Sequence, residues 1–218
     1  MKKNYFDREY FTLHEGKMVY LDFLAGLLKG RGVRGKVLDI GSGYGFFLGA
    51  LDKRGYDTYG IELSEKAIEK AKGMTKAKLI NQSADSKFPF DYNFFDAVTM
   101  FDVIEHIPDF QYSLEESYRV LKPNGLLFII TLNSDSALKK ILRKKWSWYK
   151  DPTHVHLFDS SSLKNALNSA GFKSTEIKTL FNFNAAGETT RWLKPLRGIG
   201  KVLFMPKFGD SLLAISKK

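Results

Sequence analysis

The chain has 218 residues, 44% of them hydrophobic, which excludes a disordered chain and suffices for one packed domain. It has no cysteine, which excludes disulfides, thiolate metal sites and a cysteine nucleophile. The net charge of +10 is uneven: residues 1–137 carry 18 Lys and Arg against 19 Asp and Glu, whereas residues 138–218 carry 16 against 5.

Such asymmetry points to an anionic partner for the C-terminal part, whether lipid surface, phosphorylated substrate or nucleic acid, or else to lysine used for solubility. No apolar run approaches the roughly 18 residues that a membrane span needs. The start, Met1 to Asp7, lacks the apolar core of a signal peptide. The expected location is cytoplasmic, with peripheral contact at the inner membrane face as an option.

In chain order, residues 5–30 carry a helical pattern, with Met18, Leu21, Leu24 and Leu28 on one face, joined by Phe23 and Leu27. Tyr5, Tyr10 and Phe11 could lid a site or pack as core. A strand over 36–41 follows, its acid Asp39 running into a turn with Gly41, Gly43 and Gly45, then a helix over 45–54. A second strand, 57–62, ends in Glu62, seventeen positions after Gly45. Ser64 with Glu65 and Glu69 predicts a capped helix over 64–73. Strands near 78–82, 94–101 and 125–132 follow, with a helix over 111–121 and a turn at Pro123-Asn124-Gly125. Beyond 135, residues 138–149 are basic and amphipathic. A helix over 160–170, with Ser160, Ser161 or Ser162 as cap, stops at Gly171. Strand six spans 173–181 and strand seven 211–216, with an insertion at 184–209 between them. Insertions of this kind commonly carry function.

The alternation of strands and helices predicts an α/β fold, a Rossmann-like doubly wound sheet with helices on both faces. Its glycine-rich first turn lets backbone approach a nucleotide-like ligand, and an acid ending the second strand can accept both ribose hydroxyls. The dinucleotide fingerprint G-x-G-x-x-G is not met, because Phe46 stands where its third glycine belongs. That disfavours a nicotinamide oxidoreductase. No G-K-[ST] follows the turn, so it is not a P-loop.

These residues resemble the class I S-adenosylmethionine-dependent methyltransferases. The likeness continues through Ser83-Ala84-Asp85, through Phe94 to Asp109 with its Asp102-Val103-Ile104-Glu105-His106, and through Tyr118 to Leu127. The Phe94–Asp109 stretch is similar to the subgroup containing the ubiquinone O-methyltransferases. Asp151-Pro152-Thr153-His154-Val155-His156 is similar to a motif of methyltransferases in cell-surface glycan and lipid pathways. The resemblance implies seven strands, mostly parallel with strand seven antiparallel, and S-adenosyl-L-methionine as cofactor with S-adenosyl-L-homocysteine as product. Asp39, Gly41, Gly43 and Gly45 would then hold its methionine part, and Glu62 the ribose. Ala84 and Asp85 would meet the adenine, Leu63 would be a further cofactor-binding residue, and Phe101 would line the crevice.

A base helps a hydroxyl acceptor by removing its proton, whereas a carboxylate or phenolate acceptor needs none; His106, His154 and His156 are the candidate bases. His154 and His156 should project on one side of an extended stretch. With Glu105 and His106 they are chemically sufficient for a divalent metal, but no metal is assigned. The expected acceptor is small or lipid-linked. Taken as a helix, the insertion sets Trp192, Leu196, Ile199 and Leu203 against Arg191, Lys194, Arg197 and Lys201. That stripe predicts contact of 138–149 and 191–207 with an anionic bilayer, although Pro195, Gly198 and Gly200 weaken the helix. The rival functions are a nucleic-acid methyltransferase, which the basic part permits although no N-P-P-Y-like motif is present, and a non-catalytic S-adenosylmethionine-binding protein. One domain over 1–218 is expected: a helical cap at 1–34, a core at 35–183, the insertion, and a last strand in 210–218.

Overall fold

The computed structural model describes residues 14–137, 152–182, 202–204 and 209–218. The strands are β1 (Lys36–Ile40), β2 (Asp57–Glu62), β3 (Lys78–Asn81), β4 (Phe95–Phe101), β5 (Leu121–Leu132), β6 (Ser174–Asn182), β7 (Val202–Phe204) and β8 (Ser211–Lys217). They form one sheet in the order β3-β2-β1-β4-β5-β8-β6-β7. The pairs from β3 to β5 are parallel, and β8 runs antiparallel to both β5 and β6. The order reverses between β1 and β4, which opens a crevice at the carboxyl ends of the strands.

The helices are α1 (His14–Gly30), α2 (Phe46–Asp52), α3 (Glu65–Ala71), α4 (Phe110–Val120) and α5 (Ser160–Ser169). Side chains alternate across each strand, so neighbouring residues feed two separate cores. Leu38, Ile40, Val98, Met100, Leu127 and Ile129 pack with Leu114 of α4 and with Leu163 and Leu167 of α5. Val37, Ala97, Phe128 and Ile130 pack on the other face with Leu24 and Leu28 of α1 and with Phe47 and Leu51 of α2. Full burial of each such side chain contributes about 1.5–3 kcal/mol. The doubly wound arrangement is therefore written in residue-by-residue alternation.

Most predicted elements stand within a residue or two of their predicted bounds. Ser64 caps α3 by accepting the Ala67 N–H. The cap of α5 is Asp159 rather than one of the three serines. Its carboxylate accepts the Ser162 N–H at 2.7 Å, and Ser162 Oγ accepts the Asp159 N–H at 2.9 Å. The Asp159 carboxylate also sits favourably at the positive end of the helix dipole.

The seven predicted strands are all present, with the predicted seventh lying as β8 beside β5. The additional strand β7 comes from inside the insertion. Leu203 pairs opposite Phe181 on the sheet edge, so the helical stripe drawn through Leu203 does not hold there. The edge of β6 offers unpaired backbone groups, and the Val-Leu-Phe tripeptide suits a strand. The rest of the predicted insertion stripe (191–201), the basic segment 138–149, and Tyr5, Tyr10 and Phe11 lie outside the described residues. Among the described residues, no helix is long and apolar enough to cross a membrane.

Candidate active site

The turn after β1 is pinned to its neighbours by backbone. The N–H groups of Gly41 and Ser42 donate to the Ile61 carbonyl at 2.8 and 3.1 Å. Gly41 has φ of +71°, and a Cβ there would lie 2.2 Å from Val103 Cγ2. Glycine is thus required both by conformation and by the close approach of the segment after β4. Gly45 repeats this at φ +72°, where a Cβ would meet Thr75 and Ala71.

Glu62 closes the loop from the β2 side. Its Oε2 accepts the Gly43 N–H at 2.9 Å and its Oε1 accepts the Ser64 N–H at 2.8 Å. A carboxylate has about four acceptor positions, so two remain for hydroxyls. Leu63 beside it is 70% exposed, which leaves an apolar face at the crevice. Asn81, which the sequence reading missed, holds this corner: its Nδ2 donates to the carbonyls of Glu62 and Leu63 at 3.0 and 2.9 Å. Asp85 is half-buried and accepts the Ser83 hydroxyl, with Ala84 half-buried between them. The ring of Phe101 packs edge-on against Phe47 at 5.1 Å, on the α2 side of the sheet.

Asp39 is 5% exposed and accepts the Thr99 hydroxyl at 2.6 Å. Burial pushes its carboxyl up to about 7, Thr99 opposes that rise, and the Glu62 carboxylate adds to it. Asp102, just past β4, has φ of +55°. Its side chain is exposed at the mouth of the strand ends.

The histidines gather at the same end of the sheet. The turn Ile104–His106 follows Val103, and the segment holding residues 152–158 docks against it. The Glu105 carbonyl accepts the N–H groups of Val155 and His156 at 2.9 and 3.1 Å. Glu105 is 1% exposed, and its carboxylate accepts the Thr131 hydroxyl at 2.8 Å. The rings of His106 and His154 lie 4.7 Å apart. One ligand-type atom each from Glu105, His106 and His154 falls within 4.8 Å of the others.

His106 Nδ1 lies 3.1 Å from the Thr153 carbonyl oxygen. The Thr153 hydroxyl lies 3.0 Å from the same nitrogen, so Thr153 fixes the ring through Nδ1 in either tautomer. His156 projects toward the same turn but one step further along. It donates from Nε2 to the Pro108 carbonyl at 3.0 Å and packs edge-on against Phe110. Of the four residues named for a metal, three therefore come together and His156 stands apart.

The site thus joins a glycine turn, three carboxyls at the tips of β1, β2 and β4, and a histidine pair beyond β4. The methyltransferase-domain family matches residues 13–177, and the chain belongs to it. Its fold is that of the class I S-adenosyl-L-methionine-dependent methyltransferases, enzymes whose cofactor is S-adenosyl-L-methionine. A ubiquinone biosynthesis O-methyltransferase of Pelagibacter ubique is 36% identical over 101 residues, covering 45% of this chain and 42% of that protein. The enzyme of the same name from Chromobacterium violaceum is 31% identical over 144 residues, covering 60% and 57%. The chain spans about half the length of these curated relatives. A SAM-dependent methyltransferase from Thermotoga maritima superposes with a TM-score of 0.67 at 22% identity, covering 93% of this chain and 91% of that one. One from Archaeoglobus fulgidus does so with 0.65 at 22%, covering 91% and 94%.

The residues present fit this cofactor. A buried carboxyl held near neutrality suits a cationic ammonium, Glu62 retains acceptor positions for a ribose, and the exposed Leu63 suits a flat ring.

Proposed function

We propose that the chain transfers a methyl group to a hydroxyl of a small or lipid-linked acceptor, and that the whole 218-residue chain works as one methyltransferase domain. The observation that carries this reading is the meeting of two sets of groups at one end of the sheet. The acids Asp39 and Glu62 flank the glycine turn, and the His106–His154 pair stands beyond Asp102. The names of the relatives, ubiquinone biosynthesis O-methyltransferases, support oxygen as the acceptor atom.

The cofactor supplies a methyl already activated by positive sulfur, so the protein has to orient the acceptor and exclude water. In this reading Asp39 binds the ammonium end, and Gly41, Gly43 and Gly45 admit the backbone close to it. Glu62 accepts from the ribose, while Leu63, Ala84 and Asp85 face the adenine and Phe101 backs the crevice. His106, oriented by Thr153, accepts the acceptor hydroxyl's proton as the oxygen attacks. His154 lies against it and shares that charge. His156 holds the segment in place through Pro108 and Phe110.

The basic excess in residues 138–218, 16 Lys and Arg against 5 Asp and Glu, supports an acceptor presented at an anionic surface. The test is a transfer assay with methyl-labelled S-adenosyl-L-methionine and a cell extract, partitioned into organic, aqueous and macromolecular fractions. Label in the organic phase is expected. Label confined to macromolecules would replace this reading by nucleic-acid methylation, and cofactor binding with no transfer to any fraction would replace it by a binding protein.

A further inference from the structure

Thr99 sits in β4 with 0% exposure, directly opposite Asp39 in the parallel register. Its hydroxyl lies 2.6 Å from Asp39 Oδ1 and 3.3 Å from the Leu38 carbonyl oxygen. These two acceptors serve two states. When Asp39 is ionised, Thr99 donates to Oδ1. When Asp39 is protonated, its O–H donates to Thr99 Oγ1, and Thr99 turns its own hydrogen toward the Leu38 carbonyl. Valine would fill the same buried β-branched position, so the hydroxyl has a polar task.

The charged surroundings are one-sided. From β2 the group facing Asp39 is the Glu62 carboxylate. The next carboxyl along the strand tips is Asp102. The glycine turn brings Tyr44, whose hydroxyl is met by Lys70 at 3.4 Å. On the helices of that face, Asp22 is paired with Arg54, and Asp52 is held by Thr58, Thr75 and the Lys76 N–H.

We infer that Thr99 is a positioning residue that supports Asp39 in both protonation states and so couples uptake of the cationic cofactor to release of one proton from Asp39 to solvent. The inference rests on Asp39 as the partner of the cofactor's ammonium. Its burial and the Glu62 charge keep Asp39 protonated up to about pH 7 in the ligand-free protein. A bound cation favours the carboxylate and expels the proton. Affinity therefore rises with pH until Asp39 is ionised without help.

The experiment is calorimetric titration of the full chain with S-adenosyl-L-methionine at several values from about pH 6 to about pH 7.5. It is run in buffers of different ionisation enthalpy, with Thr99→Val, Thr99→Ser and Asp39→Asn alongside. Wild type is expected to gain about tenfold in affinity over that range and to release a fraction of a proton that shrinks as pH rises. Thr99→Val removes the bond that favours the carboxylate, so it binds more weakly at neutral pH and releases more. Thr99→Ser behaves as wild type, and Asp39→Asn releases none. Binding by wild type that is independent of pH and buffer overturns the coupling while leaving the cofactor reading intact. So does a Thr99→Val that matches wild type in both affinity and proton count. Absence of binding at every pH overturns the cofactor reading itself, and this one with it. Carboxyl-carbon NMR of the wild-type protein decides the matter without any variant: Asp39 titrating near the ordinary 3.8 would refute it.

Discussion

Glu62 Oε2 accepts the Gly43 N–H at 2.9 Å, so the acid that ends β2 also fixes the glycine turn that follows β1. Its other oxygen accepts the Ser64 N–H at 2.8 Å. Replacement of Glu62 by Ala removes two charge-assisted bonds and any ribose contact together. A hydrogen bond to a charged group contributes about 1.5–3 kcal/mol. Affinity for S-adenosyl-L-methionine should fall by about 10- to 100-fold in calorimetry; unchanged affinity would refute the ribose assignment.

Gly41→Ala should be among the most damaging single changes in the turn. The added Cβ would lie 2.2 Å from Val103 Cγ2 on a backbone at φ +71°, so neither space nor conformation allows it. A loss of about 2 kcal/mol or more in urea unfolding is expected, together with loss of cofactor binding. A variant that retains both would show that the segment around Val103 moves freely.

His106→Ala should lower kcat by about 10²- to 10⁴-fold with little change in cofactor affinity, the signature of a lost base. His156→Phe keeps the aromatic contact with Phe110 but loses the bond to Pro108, and it should cost stability rather than chemistry. Equal loss of kcat in both variants would argue that the histidines serve structure alone. The extract-derived acceptor provides the assay.

Asp39→Asn should stabilise the ligand-free protein above neutral pH. The folded carboxyl titrates at about 7, against 3.8 for the ordinary group. Because the folded value is raised, the native state binds the extra proton. Its contribution is complete below 3.8 and is lost as pH rises through about 7. Asparagine has no such loss, so its advantage appears at alkaline pH, at most about 4 kcal/mol and less whatever the Thr99 bond supplies. Urea midpoints measured from about pH 5 to pH 8 would check this, and a variant less stable than wild type at pH 8 would contradict it.

Glu116 and Arg119 form a largely buried ion pair at 2.7 Å, and Arg119 also donates to the carbonyls of Phe88 and Phe90. Burial alone would raise Glu116, but the Arg119 bond, the Phe88 N–H and the Arg119 charge hold it below 4.5. The depressed value means this contribution is present above about 4.5 and disappears as pH falls below it. Arg119→Ala should destabilise by about 3–5 kcal/mol at neutral pH, because Glu116 is left charged and unpaired. The deficit relative to wild type should narrow in acid.

Charge reversal of Lys194, Arg197 and Lys201 together should abolish sedimentation with anionic liposomes if the insertion docks on a bilayer. Sedimentation that persists would remove the membrane from the proposal.

Much of the molecule was legible in the sequence because its signals are local. Alternating apolar residues, acid-ended strands and the Gly41-Ser42-Gly43-Tyr44-Gly45 turn specify elements whose physics acts over a few neighbouring residues. What only the tertiary structure decided depends on residues far apart in the chain. Thr99 meets Asp39 across 60 positions, and Thr131 meets Glu105 across 26. His154 joins His106 while His156, two residues on, turns to Pro108. No spacing encodes those meetings, because they are fixed by strand register and by how the segment of 152–158 docks on the turn after β4. The strand at Val202–Phe204 is a similar case, since an open sheet edge rather than local propensity alone set its conformation.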